Sequence, residues 1–469
     1  MIRYFFSFLT DKNLVEVKIL LPAGQPKFID LHLPTWRPGR YQLQNFAKNI
    51  LNFSAQTASG QGLPWKKKEK NIWRVESVEN QVIEISYQCF SKELNAGSSL
   101  VIPSYVYVNP VNLTLYLPGK VNERFEVNIR KNAEGQSLVC GIKAELVGDY
   151  FKLRPADIHH FFDSPFLLSS SVFHQEFEVE SIKFHLWIQG KFEFDIQKLL
   201  ADLTKIARRQ ISIFGEFPEE DYHFILIVPE STCYHGVEHR NSTMMVLGEN
   251  GVIPASYYND FLGLASHELF HAWNIAKIRP KELLPYNYGH ENYFETCFVA
   301  EGYTTYYGDK VLFESGAITY EEYLHELETT CRRHFEEADQ ACQSLLESSF
   351  DLWVDGYERG IPNKKVSVYS KGALVAMILD IKIRKKFKEK KTLDDVMRLL
   401  WKKFGHLKKG YSYLDIQKAC EKIYGESLRE YFEFTIEGNQ PIFDYTNAHL
   451  EYLGLKLVWK GERCRLVNL

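Results

Sequence analysis

Hydrophobic and polar residues alternate along much of the first 170 residues. The alternation is clearest at residues 15–19, 82–87 and 125–129, and prolines, glycines and asparagines separate these runs. Because successive side chains of a β-strand point to opposite faces, this period of two predicts sheets with one buried face. We therefore expect an N-terminal β-sandwich domain at residues 1–170. Residues 36–41 are interpreted as a Pro-Gly turn anchored by aromatic residues, with a binding loop as the alternative.

The order of elements changes after residue 170. Strand-like runs at residues 177–188, 222–228 and 242–247 predict a small sheet. Residues 195–214, between the first two runs, carry apolar side chains on one face of a helix. Residues 261–273 are apolar around much of a helical circumference, which is typical of a buried helix. We expect a second domain, of mixed α and β structure, at residues 171–315.

The remaining sequence has the patterns of helices. Residues 320–350 are rich in Glu and punctuated by Leu, which predicts one long charged helix. An apolar helix is predicted at residues 373–383, and two further helices at residues 393–404 and 414–424. We expect a helical C-terminal domain at residues 316–469. The chain as a whole is then an α+β multidomain protein, since 469 residues exceed one ordinary core.

Candidate metal ligands lie in the predicted apolar helix, which contains Ser-His-Glu-Leu-Phe-His at residues 266–271. His267 and His271 are four residues apart, so they lie on one helical face and can bind one ion together, with Glu268 beside them. An unpaired charge on a buried helix is costly, and a metal ion satisfies all three groups. This is the H-E-x-x-H arrangement of metal hydrolases. The alternative is a surface helix with two solvated histidines.

A catalytic zinc ion takes three protein ligands and leaves one position for water. The third ligand is expected from another element. Glu301 is the single carboxylate of an apolar segment of helical character at residues 298–307, whereas Glu291 and Glu295 lie in a more polar stretch. Helix geometry alone leaves the choice among these three carboxylates open.

Composition excludes several other functions. A net charge of -4 and a pI near 6.5 argue against a nucleic-acid or anionic-membrane partner. No stretch approaches the ~18 apolar residues of a membrane span, and the N-terminus lacks the pattern of a signal peptide, so we expect a cytoplasmic protein. Eight cysteines without C-x-x-C spacing favour free thiols over disulfides or a metal cluster.

Residues 267–280 together with residues 300–307 resemble the glycyl aminopeptidase family of zinc metallopeptidases, gluzincins with a thermolysin-like catalytic domain. Residues 33–41, 234–242 and 368–375 resemble the family's N-terminal signature, substrate-edge strand and catalytic-tyrosine segment. The resemblance runs from about residue 10 to the C-terminus and implies a thermolysin-like zinc peptidase domain at residues 171–315. Members commonly carry a PDZ module after the helical domain, and we expect this chain to be too short for one.

The resemblance implies roles for the residues of the motif. His267, His271 and Glu301 would bind one Zn²⁺, and cobalt or manganese could occupy the same ligands. Glu268 would take the proton of the attacking water and deliver it to the leaving amine. Tyr369 would donate a hydrogen bond to the oxyanion, although tyrosine in a core is often only packing.

The resemblance also implies a way of selecting substrates. Glu238 would bind the free α-ammonium group of a peptide, and Gly236 belongs to the same substrate-edge strand. The family more often has Gly-Gly where this chain has His235 and Gly236. Glu238 could instead be a surface glutamate paired with its basic neighbours.

The sequence therefore predicts an aminopeptidase that removes small residues, Gly or Ala preferred, from peptides with a free N-terminus. A zinc endopeptidase of thermolysin-like mechanism is the first alternative. The second is a non-catalytic peptide-binding protein that uses the N-terminal sandwich as its working surface.

Overall fold

The N-terminal part is built from three β-sheets in the computed structural model, which describes residues 1–358 and 360–469. The sheets enclose one apolar core, to which β1 contributes Tyr4, Phe6 and Phe8 from alternate positions. Their strands are β1 (Arg3–Leu9), β2 (Leu14–Leu21), β3 (Phe28–His32), β4 (Ile50–Thr57), β5 (Trp65–Glu69), β6 (Ile72–Glu76), β7 (Ile83–Phe90), β8 (Leu100–Ile102), β9 (Tyr105–Val108), β10 (Glu126–Arg130), β11 (Ser137–Cys140), β12 (Ala144–Val147), β13 (Tyr150–Leu153) and β14 (Phe166–Ser169).

The largest of these sheets has the strand order β12-β13-β10-β1-β2-β7-β4. Its strands pair antiparallel except for β1 and β10, which are parallel. The smaller sheets have the orders β11-β14-β9-β8 and β3-β6-β5, and a short helix α1 (Ile158–Phe162) precedes β14. The three alternating runs of the sequence match β2, β7 and β10 to within one residue at their starts, so the period of two identified strands of the main sheet correctly.

A separate five-stranded sheet begins the part of the chain that carries the metal motif. Its order is β15-β16-β18-β20-β19, with β19 antiparallel at the edge. The predicted run at residues 177–188 is a hairpin rather than one strand, because Glu180 and Ser181 turn the chain with positive φ. The strands here are β15 (Phe173–Val179), β16 (Ile182–Gln189), β17 (Lys191–Phe192), β18 (Asp221–Ile227), β19 (Cys233–Glu238), β20 (Ser242–Gly248) and β21 (Val252–Ile253).

Helices dominate the chain from residue 255 to residue 453, so the fold is α+β. Three π-helical turns interrupt them, at Phe298–Tyr303, Trp401–Gly405 and Glu433–Glu437. The α-helices after α1 are α2 (Ile196–Phe214), α3 (Tyr258–Phe270), α4 (Thr304–Glu314), α5 (Tyr320–Phe335), α6 (Leu345–Phe350), α7 (Leu352–Asp355), α8 (Ser370–Phe387), α9 (Leu393–Leu400), α10 (Tyr413–Tyr424), α11 (Arg429–Phe432) and α12 (Phe443–Leu450).

Two predictions for the helical region were wrong. The charged run at residues 320–350 is not one helix: α5 ends at Phe335, and Ser344 forms a capping box with Glu347 that starts α6. The C-terminus is not wholly helical, since β22 (Leu455–Lys460) and β23 (Arg463–Asn468) form a hairpin. Within the described ranges, no helix is both long enough and apolar enough to cross a bilayer.

The second apolar core joins the five-stranded sheet to the helices. It contains residues on both sides of residue 315, among them Leu264, Phe298, Leu327, Leu374 and Phe432. Trp36 and Tyr41, from the N-terminal part, also belong to it. The domain boundaries at residues 170 and 315 stay a prediction.

Two glycines bring the π-helical turn at Phe298–Tyr303 against the start of α8. A Cβ atom on Gly302 would lie 2.4 Å from the Cα atom of Gly372, and one on Gly372 would lie 2.8 Å from the Cα atom of Gly302. Such distances are far inside van der Waals contact, so the two backbones touch only because both residues lack a side chain.

We expect Gly302→Ala to lower the free energy of unfolding by about 1–3 kcal/mol, because the added methyl group overpacks this contact. The matched control is Gly263→Ala in α3, where an added Cβ meets no heavy atom within 4 Å. That substitution is expected to stabilise by roughly 0.5–1 kcal/mol, since alanine favours a helix interior. Thermal unfolding midpoints of both variants measure the difference, and equal midpoints would contradict the close contact.

Candidate active site

The two histidines and Glu301 meet in one small space. His267 and Glu268 lie in the last turn of α3, and His271 follows the helix directly with helical dihedral angles, φ −62° and ψ −19°. The Nε2 atoms of His267 and His271 are 3.1 Å apart. Oε2 of Glu301 lies 3.8 Å from Nε2 of His267 and 3.5 Å from Nε2 of His271. The structure therefore brings together the three predicted ligands from two elements.

The competing carboxylates lie elsewhere. Glu295 is exposed and Glu291 is half-buried. Among the described residues, neither shares a group of potential metal ligands with His267 and His271, whereas Glu301 does.

Polar contacts on the other side of α3 fix the position of the motif. The Ser266 hydroxyl donates to the carbonyl of Gly308 in α4 over 2.9 Å. The side-chain amide of Gln210 in α2 donates to the carbonyl of Ser266 over 2.7 Å. Buried hydrogen bonds thus hold α3 in place against both α2 and α4.

Asn274 links the two elements that carry the ligands. Nδ1 of His271 lies 2.6 Å from the carbonyl oxygen of Asn274, and because a carbonyl only accepts, this nitrogen carries the proton. Nε2 of His271, which faces Glu301, is then the ring atom available to a metal ion. The side-chain amide of Asn274 donates to the carbonyl of Val299 over 2.8 Å and to the Thr304 hydroxyl over 3.1 Å. In the sequence, Asn274 was only one residue of the stretch 267–280 that carries the resemblance, and no local pattern indicated this linking role.

The charges of the three groups suit a divalent cation. Burial raises the pKa of Glu301, but hydrogen bonds from His267 and His271 outweigh it and bring that pKa to about 2. Burial lowers the pKa of His271, but Glu301, Glu238 and Glu268 outweigh it and raise that pKa to about 10. Burial lowers the pKa of His267. At neutral pH the space thus holds a carboxylate, a neutral imidazole and an imidazolium whose proton a metal ion would replace.

Glu268 is a buried carboxyl group that lacks a partner. It is 4% exposed, and its Oε2 atom has no hydrogen-bond partner among the described residues. Burial, followed by the charges of Glu238 and Glu301, raises its pKa well above the usual range, although His271 opposes this. An unsatisfied buried carboxyl group is costly, which indicates a position kept free for another molecule. A donor set of two imidazoles and one carboxylate beside this group fits a catalytic zinc site.

The edge strand β19 passes directly over Glu268. A Cβ atom on Gly236 would lie 2.2 Å from Oε1 of Glu268, so only glycine fits there. Glu238, two residues on and hence on the same face, brings a carboxylate oxygen within 4.8 Å of donor atoms of Glu268 and His271. His235 points to the other face, where its Nδ1 accepts from the backbone N–H of Ala96 over 3.2 Å. The His235 that replaces the family's glycine is therefore turned away from the metal ligands.

The turn at residues 36–41 belongs to the site. Arg40 N–H donates to the carbonyl of Arg37 over 3.3 Å, and Gly39 has φ +75°, so the backbone is the predicted turn. A Cβ atom on Gly39 would lie 2.8 Å from Oε2 of Glu238. Arg37 is 2% exposed and its charge interacts with that of Glu238. The predicted turn is present, and its residues Arg37 and Gly39 lie beside Glu238, which the turn pattern alone did not indicate.

Tyr369 lies just before α8 and lines a cavity together with His267 and Glu268. Burial, followed by the charge of Glu301, raises its pKa well above the usual range. The hydroxyl is therefore a neutral hydrogen-bond donor at neutral pH.

A cavity of about 620 Å³ opens from the catalytic groups, a volume typical of ligand sites. Glu238 and Arg37 are not among the described residues that line it, so it extends away from the N-terminal turn. The lining includes His267, Glu268, Tyr369, Tyr234, Asn259, Asp260, Gly263, Leu264, Thr305, Asp309, Leu312, Glu322, Glu326 and Arg333.

Comparisons with known proteins agree with this geometry. Residues 5–170 match the Peptidase M61 N-terminal domain, and residues 260–375 match the M61 glycyl aminopeptidase model. A crystal structure of an aminopeptidase N family protein from Idiomarina loihiensis is similar over 98% of this chain and 79% of its own, with 29% identity and a TM-score of 0.91. The M1 zinc metallopeptidase from Deinococcus radiodurans shares the fold over 94% of each chain, with 12% identity and a TM-score of 0.57. None of the curated proteins matches the sequence.

The two family models together span more than half of the chain, and the predicted resemblance is confirmed. The chain belongs to the M61 glycyl aminopeptidase family of metallopeptidases.

Proposed function

We propose that the protein is a zinc-dependent aminopeptidase that removes small N-terminal residues, Gly or Ala preferred, from peptides. The observation that carries this proposal is the carboxylate of Glu238 within 4.8 Å of both Glu268 and His271. A peptide whose ammonium group pairs with Glu238 has its first peptide bond within reach of the metal ligands and the general base. The family description supports the preference for a small first residue.

His267, His271 and Glu301 would hold one Zn²⁺ through the two Nε2 atoms and a carboxylate oxygen. When bound there, zinc polarises the scissile carbonyl group and lowers the pKa of a water molecule. The burial of Glu301 and His271 supports this assignment, because the ion would satisfy polar groups that are costly to bury.

The side chains supply the proton transfers and the orientation. Glu268 takes a proton from the attacking water and passes it to the leaving amine. Tyr369, a neutral phenol, donates a hydrogen bond to the oxygen of the scissile carbonyl as negative charge develops there. The backbone of β19 pairs with the extended peptide, and Gly236 lets it approach Glu268.

Asn274 is expected to hold the metal ligands in position. We expect Asn274→Ala to weaken zinc binding by about 10–100-fold, because it frees both the π-helical turn with Glu301 and the loop after His271. Competition with a chelator of known affinity measures this. Asn439→Ala is a matched control, since the Asn439 amide donates to the carbonyl of Cys342 outside the site. Equal affinities in the two variants would contradict the linking role of Asn274.

The second prediction concerns the general base. Glu268→Gln should retain zinc and lose turnover by on the order of 100-fold or more, because glutamine keeps the shape but cannot accept the proton. Metal content and hydrolysis of glycyl and alanyl anilides are measured on the same sample. Glu295→Gln, at an exposed carboxylate of the rejected ligand candidates, should retain both. An active Glu268→Gln enzyme would remove Glu268 from the mechanism.

The third prediction concerns the free amine. The protein should hydrolyse glycyl and alanyl anilides and spare their N-acetylated forms, since acetylation removes the charge that Glu238 binds. Glu238→Gln should lower kcat/KM for the free-amine substrates by roughly 30-fold or more, the cost of unpairing a buried charge. A chelator should abolish the activity. Efficient cleavage of acetylated substrates would indicate an endopeptidase, and zinc binding without any turnover would indicate a peptide-binding protein.

A further inference from the structure

The cavity beside the catalytic groups has an unusual charge. Besides Glu268, four carboxylates line it, Asp260 from α3, Asp309 from α4, and Glu322 and Glu326 from α5, against a single lining arginine, Arg333. Because like charges that share one cavity repel each other, this set favours a cationic group over an apolar one there.

Three of these four carboxylates make no close ion pair with a described residue. Glu322 is engaged in the capping box of α5 and accepts from Asn259 over 2.8 Å. Among the described residues, Asp260, Asp309 and Glu326 make no ion pair within the 4.0 Å limit, and Arg333 makes none either. Burial and the charge of Glu326 raise the pKa of Asp309 to about 7, against the opposing charge of Arg333. Negative charge therefore outweighs positive charge in the cavity.

The position of Glu268 shows which part of a substrate enters this cavity. Glu268 lines the cavity, and its buried Oε2 atom has no partner among the described residues. As the general base, it must deliver a proton to the amine that leaves, which belongs to the residue after the scissile bond. The ammonium end of the substrate lies at Glu238, outside the lining of the cavity. The cavity thus faces the leaving part of the peptide.

We propose that this cavity is a subsite for a cationic side chain, lysine or arginine, on the residue that follows the scissile bond. The inference rests on the proposed function for the direction of the substrate. An ammonium or guanidinium group in the cavity pairs with Asp309 and Glu326 and removes their mutual repulsion. The preferred substrates are then peptides with a small first residue and a basic second residue.

The test compares Gly-Lys-Leu-amide, Gly-norleucine-Leu-amide and Gly-Glu-Leu-amide, which share their ends and differ in the charge of the second side chain. We expect kcat/KM for the lysine peptide to exceed that for the norleucine peptide by about fivefold and that for the glutamate peptide by about tenfold or more. The lysine preference should shrink as salt is added, since the cavity is open to solvent ions.

Variants identify the residues responsible. In Asp309→Asn with Glu326→Gln, the ratio of lysine to norleucine should fall to about one. Glu321→Gln removes one charge from the exposed side of the same helix α5 and should keep the wild-type ratio. Each ratio is taken within one variant, so a loss of folded enzyme does not alter it.

Binding separates failure of this inference from failure of the proposed function. Calorimetry with the Glu268→Gln variant measures the affinity for the three peptides without cleavage. Tighter binding of the lysine peptide supports the subsite whether or not the wild type turns over. Equal affinities for the three peptides overturn it, even if the wild type removes glycine from all of them as an aminopeptidase should.

Discussion

The carboxylate of Glu301 lies against two imidazoles that belong to another element, and the active site depends on this meeting. Glu301 is 3% exposed and His271 is 2% exposed, so these groups have given up most of their hydration. A charge that is buried in this way is tolerated only when opposite charges and hydrogen bonds surround it. The contacts of Asn274 keep the two elements at this separation, and the glycine pair Gly302 and Gly372 holds the turn that carries Glu301 against α8.

The N-terminal sandwich completes the site from the other side. Trp36 is fully buried in the second core, and its indole N–H donates to the carbonyl of Asn287 over 2.8 Å. This anchor holds the turn whose Gly39 touches the carboxylate of Glu238. A sandwich that folded apart from the helices would leave Arg37 without its buried environment and Glu238 with only its own strand. The proposed selection of substrates by Glu238 therefore depends on the packing of both parts of the chain.

Local patterns in the sequence predicted local features well. The period of two identified β2, β7 and β10, and the spacing of four identified His267 in the last turn of α3 and His271 directly after it. Features that depend on distant contacts were harder. The choice of Glu301 over Glu295 needed the resemblance, because only tertiary packing brings Glu301 to the histidines. The meeting of Gly39 with Glu238, about 200 residues apart, left no periodic signal, and the break between α5 and α6 depends on one capping serine.

In the absence of its ligands, the site lowers the free energy of unfolding of the chain. Glu268 is buried without a partner at Oε2, and Asp309 shares its cavity with further carboxylates. Each would be more stable as a neutral or apolar side chain, because the desolvation of an unpaired carboxylate opposes folding. A metal ion at the histidines and a cationic peptide in the cavity would offset these costs and, by binding only the folded chain, would add to its stability. The arrangement of uncompensated charge is thus set by what the site binds, and the two buried cores supply the free energy that tolerates it.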